Sequence, residues 1–470
     1  MKVLFCASES APFAKTGGLA DVIGALPKAL IENGCDARVI MPYYKKIKEK
    51  NKADYIGYAY VRIANRSEYV GVFKTEYDDV TFYFIDSDRY FNRDSLYGYD
   101  DDGERFAFFD FAVLEAIRVA GFYPDIIHLN DWQTGLIPYI LKANYHYYPD
   151  YNKIKTVYSI HNIQYQGIYG MDLWKMLYMP FSHSLEFDNC INFMKTAIME
   201  SNLVTTVSPT YKEEVLTEQY SYKLNNILGL RYFDFHGIIN GIDTVKYDPL
   251  KDLNIYKNYD IDTVKKGKRI NKEKLLKEFG LENADAPLFG LVSRLVDQKG
   301  IDLIFPIIHD VIEYSNANFI MMGSGDAFYE DMFRQLEAAY PDRFKCYIGY
   351  SDPIAQKIYA GSDIFLMPSK FEPCGLGQMI AMRYGTLPLV RETGGLKDSV
   401  IPYNQYTGEG TGFSFTNFNA HELKEVMFVA VNTYNNDKAA WDKLVTQAME
   451  KDYSWSSSAR KYLELYKKIV

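Results

Sequence analysis

Four short segments of this chain combine a charged side chain with glycines, and the first is KTGG, residues 15–18. It lies between an apolar run that predicts a buried strand and an amphipathic run that predicts a helix. Gly17 and Gly18 would let a ligand approach the backbone, free amides at the helix start attract anions, and Lys15 adds a charge. The segment matches neither the Walker A loop nor the dinucleotide fingerprint. An anion site and a plain turn with a solvent-facing lysine are equally good interpretations.

A second cationic loop is SRLVDQKG, residues 293–300, which again follows an apolar run and precedes a helical pattern. Arg294 and Lys299 lie on one loop, so both side chains can converge on one diphosphate from the carboxyl end of the strand. Two cations in a loop are usually just solvated. The expected position opposite the KTGG segment, in the other half of the chain, favours the anion-binding interpretation.

A carboxylate stands in the third segment, SKFEPCGLGQM, residues 369–379, where Gly375 and Gly377 predict the opening of a helix. In that position Glu372 can accept hydrogen bonds from sugar hydroxyls while the helix amides hold an anion. The residues alone slightly favour a simpler role for Glu372, as a capping acid beside a turn. The fourth segment, ETGGLKDSV at 392–400, repeats the strand–glycine–glycine–helix pattern and is open to the same alternatives.

Two histidine-containing segments, HLNDWQ (128–133) and SIHNIQYQG (159–167), also follow predicted strands. Asp131 and His161 would then lie at strand ends on the same sheet edge as Lys15, where a cleft would gather them. A histidine after a buried strand is often a core residue with satisfied hydrogen bonds, so that interpretation stays open.

The elements that must position these residues alternate in the order typical of parallel α/β sheets. Strand-sized apolar runs occur in two series, at 2–8, 37–42, 124–131, 155–162 and 202–209, and then at 287–293, 317–323, 343–349, 363–369 and 387–392. A polar, poorly periodic stretch over roughly 241–285 separates the series. With 470 residues, too many for one ordinary core, we predict an α/β fold of two Rossmann-like, doubly wound domains.

Composition narrows the class of protein. A net charge of −9 argues against a nucleic-acid partner held by phosphate contacts, although it is compatible with a local cationic pocket for a small anion. The five cysteines show neither zinc-ligand spacing nor a C-x-x-C pair, as expected of reduced thiols in the cytoplasm. No apolar run approaches membrane-spanning length, so we expect no membrane partner. The 41 tyrosines fit either a compositional bias or a glucan-binding surface.

Together these segments resemble the bacterial glycogen synthase and plant starch synthase family, retaining glycosyltransferases of the GT-B type (glycosyltransferase family five). KTGGLADV, HLNDWQ, SIHNIQYQG, INGIDT, SRLVDQKG, FEPCGLGQM and RETGGLKDSV occur in the family's order, and the likeness extends to about Tyr466. It implies two Rossmann-like domains facing a cleft. Residues 1–244 would form the acceptor-side domain and 245–454 the nucleotide-sugar-binding domain. The C-terminal helix, 455–470, would pack back on the first domain.

The resemblance also implies roles for single residues. Arg294 and Lys299 match the pair that neutralises the donor diphosphate, Glu372 the carboxylate that holds the donor glucose, and His161 a residue near its 6-hydroxyl; these four form the implied catalytic set. The other implied substrate-binding residues are Lys15 and Gly18 at the diphosphate, Asp21 near the nucleotide, Tyr350 at the base, Asn240, Cys374, Gly375 and Leu376 around the sugar, and Asp131 on the acceptor side.

The implied reaction transfers glucose from ADP-glucose to the non-reducing end of glycogen or another α-1,4-glucan, with retention of configuration. The family needs no cofactor and no divalent cation. The absence of a regulatory extension favours ADP-glucose over UDP-glucose, by resemblance only. Tyr247 stands where the family commonly has tryptophan, a departure that leaves the charged residues unaffected.

Three alternatives stay open. A sucrose- or trehalose-type synthase would share the EPCGL-like segment but is not expected to carry KTGGLADV. A phosphorylase would need a lysine-bound pyridoxal phosphate. A non-catalytic glucan-binding scaffold would be expected to have lost one of Lys15, Arg294, Lys299 or Glu372, and all four are present.

Overall fold

The computed structural model describes all 470 residues, which divide into two compact units. Unit 1 comprises Met1–Gly241 together with Trp455–Val470, and unit 2 comprises Ile242–Ser454. The division after Gly241 falls slightly before the boundary predicted between residues 244 and 245.

Unit 1 contains a nine-stranded sheet and a small three-stranded sheet, β8–β10–β9. Its strands are β1 (Lys2–Cys6), β2 (Asp36–Pro42), β3 (Asp54–Ile63), β4 (Arg66–Tyr77), β5 (Val80–Asp86), β6 (Ile126–Asn130), β7 (Lys155–Ile160), β8 (Ile168–Gly170), β9 (Glu186–Phe187), β10 (Cys190–Asn192), β11 (Leu203–Thr206) and β12 (Phe235–Gly237). The large sheet has the order β12–β11–β7–β6–β1–β2–β5–β4–β3. Neighbouring strands in it are parallel, except that β4 runs antiparallel to both β5 and β3.

Unit 2 contains one six-stranded sheet in which every neighbouring pair is parallel. Its strands are β13 (Leu288–Leu295), β14 (Asn318–Gly325), β15 (Phe344–Ile348), β16 (Ile364–Met367), β17 (Leu387–Arg391) and β18 (Phe413–Phe415). Their order is β15–β14–β13–β16–β17–β18. The predicted parallel α/β class is therefore confirmed, because every strand predicted for the two series is present.

Most of the helices lie between strands, and the last three follow β18. They are α1 (Gly18–Glu32), α2 (Lys45–Lys50), α3 (Asp88–Phe91), α4 (Asp102–Ala120), α5 (Ile137–Ile140), α6 (Asp172–Met176), α7 (Phe193–Glu200), α8 (Pro209–Glu214), α9 (Asn225–Gly229), α10 (Val264–Phe279), α11 (Phe305–Tyr314), α12 (Ala327–Ala339), α13 (Asp352–Gly361), α14 (Gly377–Arg383), α15 (Gly394–Ser399), α16 (Ala420–Asn436), α17 (Lys438–Met449) and α18 (Trp455–Tyr466). None of them has both the length and the apolar character needed to cross a membrane.

Helix α10 corrects the sequence analysis, which treated 241–285 as a stretch without regular structure. Its sequence is dominated by lysine and other charged residues, so the apolar stripe is narrow. One of the lysines, Lys272, is nevertheless buried, and its Nζ lies 2.6 Å from Oδ2 of Asp363. A buried cation of this kind is stabilised by a partner distant in sequence. From the sequence alone a lysine at this position indicates an exposed helical face, so the buried face of α10 could not be recognised.

The C-terminal helix α18 packs against α1 within unit 1. Tyr462 and Leu465 are buried on its inner face, and the helix ends at Tyr466, before the predicted end at residue 470. The hydroxyl of Tyr466 lies 2.5 Å from Nδ1 of the buried His128, and Ser458 donates a hydrogen bond to the carbonyl of Ile239. The last helix of the chain is thus joined to the sheet of the unit in which the chain begins.

Candidate active site

The predicted site residues of unit 2 follow strands that are neighbours in its sheet, in the order β13–β16–β17. The loop after β13 carries Lys299, the loop after β16 carries Glu372, and the second glycine pair begins α15, which follows β17. Because the carboxyl ends of parallel strands share one edge of a sheet, segments distant in sequence meet here.

Lys299 and Glu372 form an ion pair, with Nζ 2.5 Å from Oε2. Both side chains are largely buried, and the hydroxyl of Ser369 donates a second hydrogen bond to the same carboxylate oxygen, at 3.2 Å. An ammonium group has three N–H donors, so this contact leaves two of them for another acceptor. The predicted diphosphate-binding lysine and the predicted sugar-binding carboxylate therefore lie in one place.

Arg294 is the penultimate residue of β13 and its side chain is exposed. Its guanidinium makes no hydrogen bond or ion pair with the rest of the chain. All five N–H donors of the fork are consequently available, in the geometry that binds phosphate or carboxylate oxygens in pairs. An unpaired guanidinium at the end of β13, just before the loop that carries Lys299, suits an anionic ligand.

The backbone at Glu372 is held by the glycines of the ETGG segment. The amide of Gly395 donates to the carbonyl of Glu372 at 3.1 Å. A Cβ on Gly394 would lie 2.0 Å from that same carbonyl oxygen, and one on Gly395 would lie 2.1 Å from the carbonyl oxygen of Cys374. These two glycines are therefore required for close backbone packing, which positions the carboxylate loop. The sequence alone left an anion site and a plain turn open for this segment.

Two further residues that the sequence analysis missed brace the same loop. The side-chain amide of Gln378 donates to the carbonyls of Cys374 and Gly375, at 3.1 and 3.0 Å. Arg391, at the end of β17, donates from Nε to the carbonyl of Ser369 at 2.9 Å. Arg391 is largely buried, and a charged residue ending an otherwise apolar strand was the available signal in the sequence.

The remaining predicted residues of unit 2 surround this loop in sequence or lie apart from it. Gly375 adopts a φ of +70°, a conformation that favours glycine, and Leu376 immediately precedes α14. Tyr350 follows β15 instead; its ring is exposed and its hydroxyl donates to Oδ1 of Asp352 at 2.6 Å. The tyrosine ring predicted to contact the base is therefore open to a ligand.

In unit 1, Lys15 and Asp21 form an exposed ion pair, with Nζ 2.6 and 2.9 Å from the two carboxylate oxygens. The loop between them is held by a residue that the sequence analysis did not consider, Glu9. Its Oε2 accepts hydrogen bonds from the amide and the hydroxyl of Thr16, at 2.6 and 2.8 Å. Burial raises the pKa of the Glu9 carboxyl. The buried Glu9 carboxylate thus fixes the conformation of the KTGG loop through Thr16.

The two glycines of KTGG differ in what surrounds them. Gly17 precedes α1 without a side-chain cap, and a Cβ there would lie 3.8 Å from Glu9. A Cβ on Gly18 would meet no protein atom within 4 Å, and its φ is not positive. Neither backbone conformation nor packing within the protein therefore requires glycine at position 18.

Asp131 and His161 are brought together at the ends of β6 and β7. Oδ1 of Asp131 accepts a hydrogen bond from the amide of His161 at 2.8 Å, and Asp131 has a positive φ of 56°. Nε2 of His161 lies 2.9 Å from Oδ1 of Asn130, whose amide group donates to the carbonyls of Cys6 and His128. Because that oxygen can only accept, Nε2 of His161 carries the proton and Nδ1 is left as the acceptor.

Burial sets the charge of both groups. It lowers the pKa of His161 to about 4, so the imidazole is neutral at physiological pH. It raises the pKa of Asp131 to about 7, although the hydrogen bonds from the amides of His161 and Asn162 oppose that shift. The pair therefore offers a neutral hydrogen-bonding imidazole beside a carboxyl that changes charge near neutral pH.

Asn240 is buried at the end of unit 1, and its Oδ1 has no hydrogen-bond partner. A buried carbonyl oxygen without a donor costs free energy, which a hydrogen bond from a ligand hydroxyl would offset. No group of three or more His, Cys, Asp or Glu side chains is arranged to hold a metal ion.

Comparisons with known proteins agree along the whole chain. The family model of the starch synthase catalytic domain matches residues 2–229, and that of the glycosyl transferases group 1 matches residues 272–441. The glycogen synthase of Acholeplasma laidlawii is 49% identical over 475 residues, covering 100% of this chain and 99% of its own. The glycogen synthase of Geobacillus stearothermophilus is 46% identical over 479 residues, covering 100% and 98%.

Solved structures show the same likeness. The catalytic domain of starch synthase IV from Arabidopsis thaliana, bound to ADP and acarbose, aligns with a TM-score of 0.88 at 33% identity, covering 99% of each chain. Sucrose-phosphate synthase from Thermosynechococcus elongatus aligns with a TM-score of 0.60 at 16% identity, covering 100% of this chain and 98% of its own. The second likeness concerns the fold alone. Both neighbours are GT-B glycosyltransferases, which confirms the predicted fold class.

Proposed function

The chain belongs to the glycogen synthase and starch synthase family of glycosyltransferases, which use nucleotide-sugar donors, and we propose that its donor is ADP-glucose and its acceptor glycogen or a similar α-1,4-glucan. Glucose would be added at the non-reducing end with retention of configuration. The choice of ADP-glucose is supported by the ADP bound to the starch synthase IV neighbour, which is 33% identical over almost the whole chain.

One observation carries the proposed chemistry: the Lys299–Glu372 ion pair involves the loop that directly follows β13, the strand that carries the unpaired guanidinium of Arg294. Glycosyl transfer from a nucleotide sugar needs stabilisation of a departing diphosphate and of a positively charged glucosyl group at once. We assign Arg294 and the two unused donors of Lys299 to the diphosphate. Glu372 would accept hydrogen bonds from the donor glucose and orient it, without attacking it.

The loop after Glu372 would hold the same sugar. Cys374, Gly375 and Leu376 follow the carboxylate in sequence, on a loop that Gln378 and the ETGG glycines keep fixed, and their backbone amides would contact the sugar. A fixed loop loses little conformational entropy when the sugar binds, which favours correct orientation of the anomeric carbon. The exposed ring of Tyr350 would stack on the adenine base.

For unit 1 we propose complementary roles. Lys15 and the Gly18 amide would contact the donor diphosphate, with Asp21 near the nucleotide. Neutral His161 and the unpaired amide oxygen of Asn240 would bond hydroxyls of the donor glucose. Asp131 would face the acceptor. The proton of the acceptor hydroxyl would pass to the departing phosphate oxygen, so that no separate protein base is needed.

The five cysteines are free in the structure, which supports the cytoplasmic location proposed from their spacing.

The test is release of ADP or UDP from each sugar nucleotide, with and without glycogen. We expect glycogen-dependent release of ADP from ADP-glucose, lost in Glu372→Ala and Lys299→Ala. Lys357→Ala is the matched control, because Lys357 also pairs with a glutamate in unit 2, Glu278 at 2.8 Å, outside the site. Its activity should equal that of the wild type.

The outcomes separate the alternatives. Release of UDP in place of ADP would retain the reaction and correct the donor. Release of neither nucleotide from a folded protein that still binds glycogen would contradict the proposal and favour a non-catalytic glucan-binding role. Activity retained in Glu372→Ala would contradict the role proposed for that carboxylate.

A further inference from the structure

Tyr350, the residue whose ring we assign to the base of the donor, lies on the short loop between β15 and α13. It is 66% exposed, so most of its ring surface faces solvent. The preceding Gly349 has a φ of +138°, a backbone conformation that residues with side chains rarely adopt. An aromatic side chain on an exposed loop can take several orientations, and ordering it when a ligand binds costs affinity. The contacts that orient this ring therefore bear on how tightly a nucleotide binds.

The hydroxyl group of Tyr350 is held by Asp352. It donates a hydrogen bond to Oδ1 of the carboxylate at 2.6 Å. A hydrogen bond to an ionised acceptor is about twice as strong as one between neutral groups. Asp352 is also the first residue of α13, where the helix dipole favours a negative charge. The start of a helix thus places the carboxylate, and the carboxylate holds the ring.

The second carboxylate oxygen of Asp352 faces a lysine. Nζ of Lys246 lies 3.2 Å from Oδ2 of Asp352, and 5.3 Å from the ring centroid of Tyr247. Burial opposes the charge on Lys246, but Tyr247 and Asp352 raise its pKa, so the ammonium group stays charged at neutral pH. Each oxygen of Asp352 therefore accepts one hydrogen bond, one from the tyrosine and one from the lysine.

The backbone of Lys246 is anchored to the same helix. The buried Gln356 donates from Nε2 to the carbonyl of Lys246 at 3.4 Å. Nδ2 of Asn254 donates to Oε1 of Gln356 at 2.6 Å, which fixes the orientation of that amide. Asp352 and Gln356 are four residues apart on α13, so both lie on one face of the helix. The segment that carries Lys246 and the helix that carries Asp352 thus form one connected support.

We infer that Asp352 is a positioning residue for nucleotide binding, which holds the ring of Tyr350 in the orientation that stacks on the base of a nucleoside diphosphate. The inference rests on the proposed function, because it presupposes contact between this ring and the base. A ring that is oriented beforehand loses less conformational freedom when the nucleotide binds, and such preorganisation raises affinity. Asp352 acts through the tyrosine hydroxyl, without a contact of its own to the nucleotide.

The experiment measures the Kd of ADP and of UDP by titration calorimetry, which requires no turnover, and kcat and KM for ADP-glucose by initial rates. We expect Tyr350→Phe and Asp352→Ala each to raise the Kd of ADP about three- to tenfold, and the KM for ADP-glucose with it. The kcat should stay within about twofold, because the lost binding is the same in the ground state and the transition state. Asp352→Asn keeps a polar group beside the hydroxyl and should retain most of the affinity.

Two double variants separate positioning from a direct contact. In Tyr350→Phe/Asp352→Ala the Kd of ADP should equal that of either single variant, because both changes remove the same hydrogen bond. In Tyr350→Ala/Asp352→Ala it should equal that of Tyr350→Ala, because no ring remains to be oriented. A purely structural role of Asp352 at the start of α13 would instead lower affinity further in both double variants.

Unit 2 contains a matched control in Tyr256, Glu278 and Lys357. The hydroxyl of Tyr256 donates to Glu278, and Nζ of Lys357 lies 2.8 Å from the same carboxylate. This is the same combination of tyrosine, carboxylate and lysine, at a place to which we assign no ligand. Tyr256→Phe and Glu278→Ala should therefore leave the Kd of ADP unchanged.

An unchanged Kd of ADP in Asp352→Ala would overturn the inference. So would additive losses in either double variant, or an equal loss in the control variants. If the wild type binds UDP in place of ADP, the proposed donor is corrected and the same comparisons with UDP decide the inference. A wild-type protein that binds nucleotide but transfers no glucose would contradict the proposed function alone, whereas one that binds neither nucleotide would overturn both. Equal melting temperatures of the variants and the wild type exclude misfolding as the cause of lost binding.

Discussion

Lys299 and Glu372 neutralise each other within a largely buried ion pair, their side chains 17% and 9% exposed. Buried ions depend on their partners, because the cost of removing each from water is repaid only by the pair. The same two residues are the ones that we assign to opposite ends of the donor's scissile bond. Stability and catalysis therefore make different demands on this pair, and substitutions can separate them.

Replacing one partner of the pair should lower both activity and stability, whereas replacing both partners should lower activity alone. We expect Lys299→Met and Glu372→Gln each to lower kcat by about 10²–10³-fold, the range for loss of one group that stabilises the transition state. Lys299→Met should also cost about 3 kcal/mol of unfolding free energy, because Glu372 is left without its counter-ion. The double variant Lys299→Met/Glu372→Gln should recover stability but not activity. Urea unfolding measures stability and ADP release measures activity. If the stability losses of the two single variants add in the double variant, Lys299 and Glu372 are not energetically coupled.

Two glycines of the site should respond in opposite ways to alanine. At Gly18 a Cβ meets no protein atom within 4 Å, so Gly18→Ala should leave the melting temperature equal or slightly raised. If the backbone there contacts the diphosphate, the KM for ADP-glucose should rise about tenfold. At Gly395 a Cβ would lie 2.1 Å from the carbonyl oxygen of Cys374, so Gly395→Ala should lower stability as well as activity. Thermal melting and donor titration check both; an unaltered KM in Gly18→Ala would contradict the role proposed for this amide.

Asp131 should make stability depend on pH. Burial raises its pKa from 3.8 to about 7, so the folded protein holds this proton more tightly than the unfolded chain does. Its contribution to stability is therefore complete below about pH 4 and is lost as the pH rises through about 7. Asp131→Asn has no such loss and should gain on the wild type by up to about 1.4 kcal/mol per pH unit in that interval. Urea unfolding of both proteins at pH 5, 6, 7 and 8 measures the difference, and parallel curves would contradict the shifted pKa.

The parallel sheets could be predicted because their strands are short, continuous apolar runs followed by helical patterns, as β1 and β13 show. The hairpin β3–β4 and strand β5 were missed. In β3 the buried Ala59 and Val61 alternate with exposed tyrosines, so the run lacks the continuous apolar character of a strand buried on both faces. Aromatic residues on a solvent-facing side do not distinguish such a strand from a polar loop.

The charged residues of the site could be named from motifs, but not their partners. Lys299 and Glu372 lie in separate segments, and only the adjacency of β13 and β16 brings them together. Glu9 and Arg391 were overlooked because they bond to backbone groups of the site loops. A sequence motif contains the residues of such a loop but not the distant residues that hold it in place. The segment that contains Gly395 was left open between an anion site and a plain turn, because the packing of Gly395 against Cys374 depends on a contact between two distant segments.

The C-terminal helix should be essential to unit 1 although the rest of that unit ends at Gly241. Trp455, Tyr462 and Tyr466 of α18 are buried, and Tyr466 bonds to His128 beneath the sheet. Replacing one such aromatic residue by alanine commonly costs about 3–5 kcal/mol, a large part of the 5–15 kcal/mol that stabilises a domain. A chain ending before Trp455 should therefore lose the cooperative unfolding of unit 1. Tyr466→Ala should strongly lower the unfolding free energy of unit 1. Tyr466→Phe should lower it by about 1 kcal/mol, the contribution of one hydrogen bond.

The matched control for this prediction is a chain ending after Tyr466. Lys467 and Lys468 beyond the helix are exposed, so their removal should change the unfolding free energy by no more than about 0.5 kcal/mol. Calorimetry of the two truncated chains beside the full chain measures the difference directly. A melting curve unaltered by truncation before Trp455 would show that unit 1 is stable without the helix, and the buried tyrosines would then contribute nothing that the sheet does not already supply.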